Sequence, residues 1–174
     1  MSNVMGPDNA LNREQKLEQL VDRYQTPLLH MCYLYLCDKS LAEDAVQEIF
    51  LKVYRNLDRF RGESSEKTWI MRIAMNTCYS INHSGWFRFF NRNITPEMMP
   101  DKAAQTDGDD RQLVVAVTRL PQKMREVILL HYFQGMKVNE IAETLGISQS
   151  SVSGRLKRGR DRLKTMLDGR NLDE

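Results

Sequence analysis

The sequence predicts an all-α protein in which a flexible linker joins two small helical bundles. Along most of the 174 residues, apolar side chains recur at intervals of three or four, which is the period of a helix. Only five prolines and nine glycines interrupt these runs. Residues 85–111 lose the periodicity, and a helix-turn-helix pattern follows near the C-terminus. A chain of this length could form one domain or two, and the break favours two.

Composition excludes several classes of protein. No apolar run approaches the roughly 20 residues needed to span a bilayer. The N-terminus lacks the apolar core of a signal peptide, so a cytoplasmic location is expected. Cys32, Cys37 and Cys78 form no Cys-x-x-Cys pair, which suits a reducing compartment. The net charge of +2 is small, so any affinity for nucleic acid must come from a local concentration of cations.

The first bundle is expected to span residues 13–84, after a disordered stretch at residues 1–12. Apolar spacing traces its first helix through Leu17 and Tyr24. Pro27 is predicted to begin a second helix, because the missing N–H of a proline is not needed in the first turn. Two helices are therefore expected before the next break.

Two more helices complete the first bundle. Ser40 and Glu43 form the pattern of a capping box, which predicts a third helix with Ser40 as its N-cap. The apolar stripe of this helix consists of Val46, Ile49, Phe50, Val53, Leu57 and Phe60. A break at residues 61–65 precedes a fourth helix, from about Glu66 to Ile81. Its predicted core residues are Trp69, Ile70, Ile73 and Ala74.

The linker is assigned to residues 85–111, the second bundle to residues 112–168 and a tail to residues 169–174. The linker begins with an aromatic and basic cluster, Trp86–Phe90, whose role is left open between packing on the fourth helix, a membrane contact and a partner surface. Its acidic, proline-punctuated remainder predicts a flexible tether. In the second bundle, Pro121 is expected to start a helix with Val127, Ile128, Leu130 and Tyr132 in the core.

A helix-turn-helix is predicted at residues 139–164. Ala142 suits a close crossing of its two helices, because a larger side chain would hold them apart. Gly146 can end the first helix in a conformation with positive φ, and Ser148 is a good N-cap for the second.

The second helix of this motif carries a dense run of cations. Val152 and Leu156 would face inward at i, i+4. The opposite face would show Ser150, Ser153, Arg155, Lys157, Arg158, Arg160, Arg162 and Lys164. Hydroxyl and guanidinium groups recognise base edges, and cations contact phosphates. The helix therefore predicts binding of DNA in a major groove.

Two segments of the chain resemble bacterial RNA polymerase sigma factors. One is LAEDAVQEIFLKVYRNLDRFRGESSEKTWIMRIAMNT, at residues 41–77. The other is LPQKMREVILLHYFQGMKVNEIAETLGISQSSVSGRLKRGRDRL, at residues 120–163. Their order and separation are similar to those of the extracytoplasmic-function class of the sigma-70 superfamily, which keeps only the domains called region 2 and region 4.

The resemblance implies a role in transcription initiation and no enzyme activity. Sigma factors of this class bind core RNA polymerase, recognise the −35 and −10 promoter elements, assist DNA melting and are then released. Members are usually held inactive by an anti-sigma factor, often a membrane-bound one, until envelope stress or another signal frees them. The expected partners are core RNA polymerase, promoter DNA and an anti-sigma factor, with no cofactor and no small-molecule substrate.

The third helix corresponds to the segment that binds polymerase in this family. Asp44, Gln47, Glu48 and Leu51 share a face opposite the apolar stripe. Taken alone, such a face suits a solvated surface. The resemblance implies that its polar residues pair with arginines of the largest polymerase subunit and that Leu51 is an apolar anchor.

The resemblance places −10 recognition and melting on the 61–65 loop and the helix after it. An extruded base costs a few kcal/mol, which stacking and hydrogen bonds must offset. The predicted set is Arg61, Gly62, Ser64, Ser65, Lys67, Thr68, Arg72 and Asn76. Trp69 could be a stacking wedge, but its spacing with Ile70 and Ile73 favours the core.

The resemblance places −35 recognition on the second helix of the helix-turn-helix. The positions carried over for base readout are Gln149, Ser150, Ser153, Arg155, Lys157 and Arg158. The positions expected to hold phosphate are Arg160, Arg162 and Lys164.

Three departures from the family pattern affect these expectations. Residues 78–83 lack the charged residues that are common at the end of the −10 helix. Gly154 stands where a serine is frequent, which removes a candidate contact. Lys137 replaces the usual serine or threonine cap before the first helix of the reading motif.

Two other functions are compatible with parts of the sequence. A stand-alone helix-turn-helix regulator could bind palindromic sites as a dimer, but it would need a dimer interface or ligand pocket in place of the Asp44–Leu51 face. An adaptor that binds only proteins is disfavoured by the cations from Arg155 onward. The spacing of His30, Cys32 and Cys37 fits no common zinc pattern, so no metal site is predicted.

Overall fold

The computed structural model describes residues 7–84 and 108–169, and every regular element in those ranges is helical. The N-terminal bundle contains α1 (Pro7–Leu36), α2 (Lys39–Asn56), a 3₁₀ turn (Leu57–Arg59) and α3 (Glu66–His83). The C-terminal bundle contains α4 (Gly108–Thr118), α5 (Gln122–Ile128), a π-helical turn (Leu129–Phe133), α6 (Val138–Leu145) and α7 (Gln149–Asp168). The prediction of an all-α protein is confirmed.

Parts of the predicted linker and termini lie outside the described residues. These parts include the Trp86–Phe90 cluster and residues 1–6. The end of the predicted linker, from Gly108 onward, belongs to α4. Helix α1 begins at Pro7, so residues 7–12 are helical although the sequence predicted disorder there.

Helix α1 is continuous, which contradicts the predicted start of a new helix at Pro27. A proline inside a helix removes one backbone hydrogen bond and costs about 3 kcal/mol. Here Leu20, Tyr24, Leu28 and Met31 are buried on both sides of the proline, so one apolar stripe passes through it. Burial of each large apolar side chain contributes about 1.5–3 kcal/mol, and together they outweigh the proline penalty.

Helix α2 begins two residues earlier than a Ser40 N-cap would place it. The N-cap is Asp38, whose carboxylate accepts the N–H of Leu41 at 2.9 Å. Ser40 is therefore inside the helix, and the predicted capping box with Glu43 is wrong. Aspartate and serine are comparable N-caps, so the local sequence did not distinguish between the two positions.

The core of the N-terminal bundle lies where α1, α2 and α3 meet. Leu28, Ile49 and Ile70, one from each helix, are fully buried. Trp69 is partly buried and stacks on Phe60, with 4.7 Å between the ring centroids. The assignment of Trp69 to the core, and not to a stacking wedge, agrees with this packing.

Helices α6 and α7 form the predicted helix-turn-helix. Gly146 ends α6 with a φ of 65°, a conformation that glycine adopts without steric cost. The Ser148 hydroxyl accepts the N–H of Ser151 at 3.1 Å and caps α7. Val152 and Leu156 are buried. These local predictions are confirmed.

Tyr132 was predicted to lie in the core, and this is wrong because its side chain is 54% exposed. The other predicted core residues of this segment, Val127, Ile128 and Leu130, are buried. The chain at Leu129–Phe133 is π-helical, and a wider turn shifts the side chains that follow relative to the apolar stripe. The Tyr132 hydroxyl accepts a hydrogen bond from Arg160 at 3.2 Å instead.

Gly159 allows α7 to pack closely against α5. A Cβ atom at Gly159 would lie 3.1 Å from Cγ1 and 3.2 Å from Cδ1 of Ile128, in a buried position. At Gly154, in the same helix, the nearest atom to a new Cβ would be the guanidinium of Arg158 at 3.4 Å, which can move. The two glycines therefore form a matched pair for mutation.

We expect Gly159→Leu to lower the free energy of unfolding by about 1–3 kcal/mol, because the added side chain overpacks the contact with Ile128. Gly154→Leu should leave the free energy unchanged or raise it by up to about 1 kcal/mol, since leucine is the better helix former. Urea denaturation followed by circular dichroism measures both. Equal stabilities of the two variants would contradict the close packing at Gly159.

Candidate polymerase and DNA interfaces

The predicted polymerase-binding residues lie together on the outer face of α2. Asp44, Gln47 and Leu51 are exposed. Glu48 is paired with Lys52 one turn away at 3.6 Å, and both side chains remain in contact with solvent. This face is available because the opposite face of α2 packs inward through Ala42, Ala45, Val46, Ile49 and Val53.

An apolar groove of about 580 Å³ lies beside this face, between α1 and α2. Leu51, whose side chain is 49% exposed, stands at the groove together with Gln47. The groove is lined mainly by Leu17, Val21, Val46, Phe50 and Tyr54. An exposed leucine beside an apolar groove can hold apolar side chains of a partner helix, while the neighbouring carboxylates favour a cationic partner.

The 61–65 loop is shaped by a glycine and by the cap of α3. Gly62 has a φ of 73°, which favours glycine at this position. The Ser65 hydroxyl accepts the N–H of Thr68 at 3.1 Å and donates to the Thr68 hydroxyl at 2.9 Å. Arg61, Gly62 and Ser65 are exposed, and Ser64 is half-buried. Thr68 is buried, so its side chain stabilises the loop through the hydrogen bond with Ser65 and is not accessible to a ligand.

Glu66, which the sequence analysis did not single out, fixes the start of α3 against α1. Its carboxylate accepts hydrogen bonds from Lys16 at 2.9 Å, Arg23 at 2.8 Å and the Tyr24 hydroxyl at 3.4 Å. Burial, followed by the charge of this carboxylate, raises the pKa of Tyr24 above its ordinary value. A carboxylate at the first turn of a helix is a recognisable pattern, but its partners on α1 are distant in sequence.

Two cations of α3 that were predicted to bind DNA contact the C-terminal bundle. Lys67 donates to the backbone carbonyl of Gln134. Arg72 donates to the backbone carbonyl of Glu143 at 3.2 Å, and its Nη2 lies 3.4 Å from the Glu143 carboxylate. Asn76 is exposed on the same helix. The predicted −10 residues thus lie in one loop and the helix that follows it, but the side chains of Lys67 and Arg72 bind the C-terminal bundle.

The exposed face of α7 carries most of the predicted −35 residues. The exposed side chains are Gln149, Ser150, Ser153, Lys157, Arg158, Arg160, Arg162 and Lys164. Arg155 was predicted on this face, but its side chain is only 19% exposed and its Nη1 lies 4.0 Å from the Glu126 carboxylate. The exposure is lower than predicted because Arg155 lies beside a carboxylate on α5, which the helical spacing of α7 cannot reveal.

A partly buried polar cluster joins the two bundles. The Tyr35 hydroxyl donates to Glu126 at 3.1 Å and accepts from Gln122 at 2.7 Å. Arg125 donates to the backbone carbonyl of Tyr35 at 2.9 Å and to the Cys37 sulfur at 3.2 Å. Burial, and then the Glu126 carboxylate, raise the pKa of Tyr35 well above its ordinary value, so the phenol stays protonated. Sequence reasoning missed the cluster because its members lie on opposite sides of the linker.

Two of the departures from the family pattern, at residues 78–83 and at Lys137, have defined contacts in the structure. At the end of α3, Cys78 is buried and Tyr79 is exposed, with its ring stacked on His83 at a centroid distance of 3.9 Å. At the start of α6, the backbone N–H of Lys137 donates to the Glu140 carboxylate at 2.8 Å. Glu140 therefore forms the half of a capping box in which the N3 carboxylate accepts the N–H of the N-cap residue, and this is a different bond from the one that a hydroxyl cap accepts from the N3 N–H.

The described residues contain neither a metal-ligand cluster nor a helix that could span a membrane. Within residues 7–84 and 108–169, no group of three or more His, Cys, Asp or Glu side chains could hold a metal ion. The sulfurs of Cys32 and Cys78 lie 3.5 Å apart, and this hydrogen bond together with burial raises the pKa of Cys32. None of the described helices combines the length and apolar character that crossing a membrane requires.

Two family models match the chain in the order of the two bundles. The model of sigma-70 region 2 matches residues 20–81, which include α2, the 61–65 loop and most of α3. The model of sigma-70 region 4 matches residues 110–163, which include α6 and most of α7.

Similar proteins extend over both bundles. The RNA polymerase sigma factor SigZ of Bacillus subtilis is 32% identical over 162 residues, which cover 88% of this chain and 88% of that protein. The ECF RNA polymerase sigma factor SigX of Bacillus subtilis is 28% identical, with coverage of 84% and 80%. The ECF RNA polymerase sigma-E factor of Escherichia coli is 29% identical, with coverage of 92% and 94%.

Two solved structures share the fold. CnrH, solved in complex with the cytosolic domain of CnrY, aligns with a TM-score of 0.70 and 25% identity over 90% of each chain. The sigma factor RpoE of Bartonella quintana, solved with the anti-sigma factor NepR, aligns with a TM-score of 0.74 and 22% identity over 88% of this chain and 98% of that chain. The two family matches, together with an identity to SigZ that spans both bundles, show that the chain belongs to the sigma-70 family of bacterial RNA polymerase sigma factors.

Proposed function

We propose that this sigma factor binds core RNA polymerase through one face of α2 and reads promoter DNA through two further surfaces. The core-binding surface consists of Asp44, Gln47, Glu48 and Leu51. The observation that carries the proposal is the exposed arrangement of these residues beside an apolar groove, in the same chain as a helix-turn-helix with an exposed basic face. A stand-alone DNA-binding regulator has no need of the first feature.

The −10 surface consists of Arg61, Gly62, Ser64, Ser65, Lys67, Arg72 and Asn76, with Thr68 and Glu66 holding the loop in place. The −35 surface consists of Gln149, Ser150, Ser153, Lys157 and Arg158 for base contacts and of Arg160, Arg162 and Lys164 for phosphate contacts. Arg155 joins the −35 surface when its guanidinium leaves Glu126. The three surfaces bind and position, while the polymerase performs the chemistry.

We also propose control by an anti-sigma factor. SigX and the Escherichia coli relative are sigma factors of the ECF class, and the RpoE of Bartonella quintana was solved with an anti-sigma factor. A protein that masks any of the three surfaces would prevent initiation. The site of action is the cytoplasm, where bacterial core polymerase meets the promoter.

The direct experiment is reconstitution with bacterial core RNA polymerase, followed by run-off transcription from a promoter library. We expect the purified chain to co-elute with core polymerase and to start transcription at a distinct set of promoters that share −35 and −10 elements. Failure to associate, with tight binding of the free chain to short palindromic duplexes, would favour the stand-alone regulator.

A separate prediction concerns the −10 surface. Arg61→Ala should slow open-complex formation on a duplex promoter by about tenfold, because a cation beside the unstacked strand is lost. The rate on a template that is already unpaired at the −10 element should recover, since melting is no longer required. Permanganate footprinting measures the rate of strand opening on the duplex promoter, and run-off transcription compares the duplex template with the unpaired one. Lys39→Ala, which removes an exposed cation far from the loop in sequence, serves as the control.

If Arg61→Ala reduced transcription equally on duplex and unpaired templates, the assignment of the loop to melting would be wrong. The same result with Lys39→Ala would point to a general effect of positive charge.

A further inference from the structure

A cleft of about 680 Å³ lies between the two bundles, apart from the groove beside the core-binding surface. Met75, Asn76, Tyr79 and His83, at the end of α3, line one side, and residues of α5, α6, α7 and the turn between α6 and α7 line the other. We refer to this space as the interbundle cleft. Its volume lies within the range of about 300–1,000 Å³ that is usual for sites that bind small molecules.

Three cations line the cleft on its C-terminal side. They are Lys123 of α5 and Arg155 and Arg158 of α7. Glu126 is the one carboxylate among the described residues that line the cleft, and it already accepts a hydrogen bond from the Tyr35 hydroxyl at 3.1 Å. The excess of positive charge favours an anion. Two guanidinium groups about one turn apart on a helix can together bind the oxygens of a phosphate.

The side of the cleft formed by α3 presents an aromatic stack. The rings of Tyr79 and His83 are stacked with an angle of 24° between their planes. Tyr79 is 51% exposed, so part of its ring surface is accessible to a ligand in the cleft. Asn76, one turn earlier, is also exposed, and its amide can both donate and accept hydrogen bonds. Such a surface can stack on a planar base and bond its edge.

The remaining residues that line the cleft are mainly apolar, but they include one hydroxyl without a partner. Met75, Met124 and Leu145 supply apolar surface. Thr144 is 4% exposed, and its hydroxyl has no hydrogen-bond partner among the described residues. A buried hydroxyl without a partner is uncommon, because the missing bond destabilises the folded state. A ligand that carries hydroxyl groups can supply this bond once the side chain turns toward the cleft.

We propose that the interbundle cleft binds a nucleoside phosphate, with the base against Tyr79 and the phosphate at Arg155 and Arg158. The observation that carries the proposal is the placement of an accessible aromatic stack and a group of cations on the two sides of one cavity. A nucleotide has the matching order, since its sugar separates a planar base from an anionic group. The inference concerns a small-molecule site, and it depends neither on polymerase binding nor on the assignment of the DNA surfaces.

A ligand in the cleft would also affect promoter recognition. Arg158 belongs to the proposed −35 surface and Asn76 to the proposed −10 surface, and both line the cleft. A bound nucleotide would therefore compete with promoter DNA for these two side chains. This consequence, unlike the site itself, rests on the proposed function.

Calorimetric titration of the free full-length chain with AMP and with GMP tests the site in the absence of polymerase and DNA. We expect saturable binding of at least one of them, with a Kd of about 10–100 µM. Adenosine or guanosine alone, and inorganic phosphate alone, should bind at least about tenfold more weakly, because each lacks one of the two recognised groups. Absence of saturable binding by both nucleotides would overturn the proposal. So would a nucleoside or phosphate that binds as tightly as the nucleotide.

Two pairs of exposed variants locate the ligand. Tyr79→Ala should weaken nucleotide binding about tenfold, whereas Tyr132→Ala, which removes a tyrosine of similar exposure outside the cleft, should not change it. Arg158→Ala should also weaken binding about tenfold. Arg162→Ala removes an exposed arginine of the same helix that does not line the cleft, and this variant should bind the nucleotide normally.

The outcomes separate this site from the proposed DNA surfaces. Equal losses in Arg158→Ala and Arg162→Ala would mean that the nucleotide binds the basic face of α7 as a fragment of DNA would, and would overturn the site. Unchanged affinity in Tyr79→Ala would overturn it as well. If the chain bound the nucleotide as expected but did not associate with core polymerase, the proposed function would be wrong and the nucleotide site would stand.

Discussion

Charge reversal at Asp44 and Glu48 is expected to abolish association with core RNA polymerase. Both side chains are accessible on α2, and lysines there would meet the cationic partner that the acidic surface implies. Juxtaposed like charges cost several kcal/mol, so the double variant Asp44→Lys with Glu48→Lys should weaken binding by more than about a hundredfold. Size-exclusion co-elution and fluorescence titration with core polymerase measure the loss.

The fold should survive this change. Glu48 is partnered by Lys52 at 3.6 Å, but a pair this accessible to solvent contributes only about 0–1 kcal/mol. The single reversal Glu48→Lys has a matched control in Glu43→Lys, an equal change of charge on the same helix outside the core-binding surface, which should retain binding. Equal weakening by the control would mean that net charge, and not this face, governs association. Full binding by the double variant would remove the assignment of the face altogether.

The helices of this protein were predictable because each buries one apolar stripe that repeats at helical spacing. The turn of the helix-turn-helix was predictable for a local reason as well, since Gly146 and Ser148 each have a conformational or capping preference that needs no distant partner. The predicted helix start at Pro27 was wrong because burial of apolar side chains on both sides of the proline outweighs the cost of a proline inside a helix. The prediction that Tyr132 lies in the core was wrong because the π-helical turn changes the spacing of the buried side chains.

The candidate surfaces show the same distinction between residues that helical spacing can place and residues that depend on a partner in another element. Residues such as Asp44 and Lys157 could be placed on exposed faces from spacing alone. Arg155 and Lys67 could not, because the groups that engage them, Glu126 and the carbonyl of Gln134, belong to other elements. The interface between bundles depends on such pairs throughout, and a sequence pattern that describes one helix at a time carries no information about them.

Substitution of Arg158 and of Arg162 should separate base recognition from phosphate binding on α7. Both side chains are exposed on one helix, one turn apart. The Arg158 guanidinium would lie only 3.4 Å from a Cβ at Gly154, so it is close to the N-terminal half of α7, the part of a recognition helix that enters the major groove. Arg162 is farther from that end, where phosphate contacts are expected.

We expect Arg158→Ala in the holoenzyme to reduce discrimination between −35 sequences by about 1–3 kcal/mol, with a smaller effect on binding to weak promoters. Arg162→Ala should weaken all promoters alike and lower the salt slope of binding by about 0.9. Fluorescence anisotropy with matched and altered −35 duplexes over a series of salt concentrations distinguishes the two patterns. If Arg158→Ala weakened every sequence equally while Arg162→Ala changed the preference, the direction in which α7 enters the groove would be the reverse of the one inferred here.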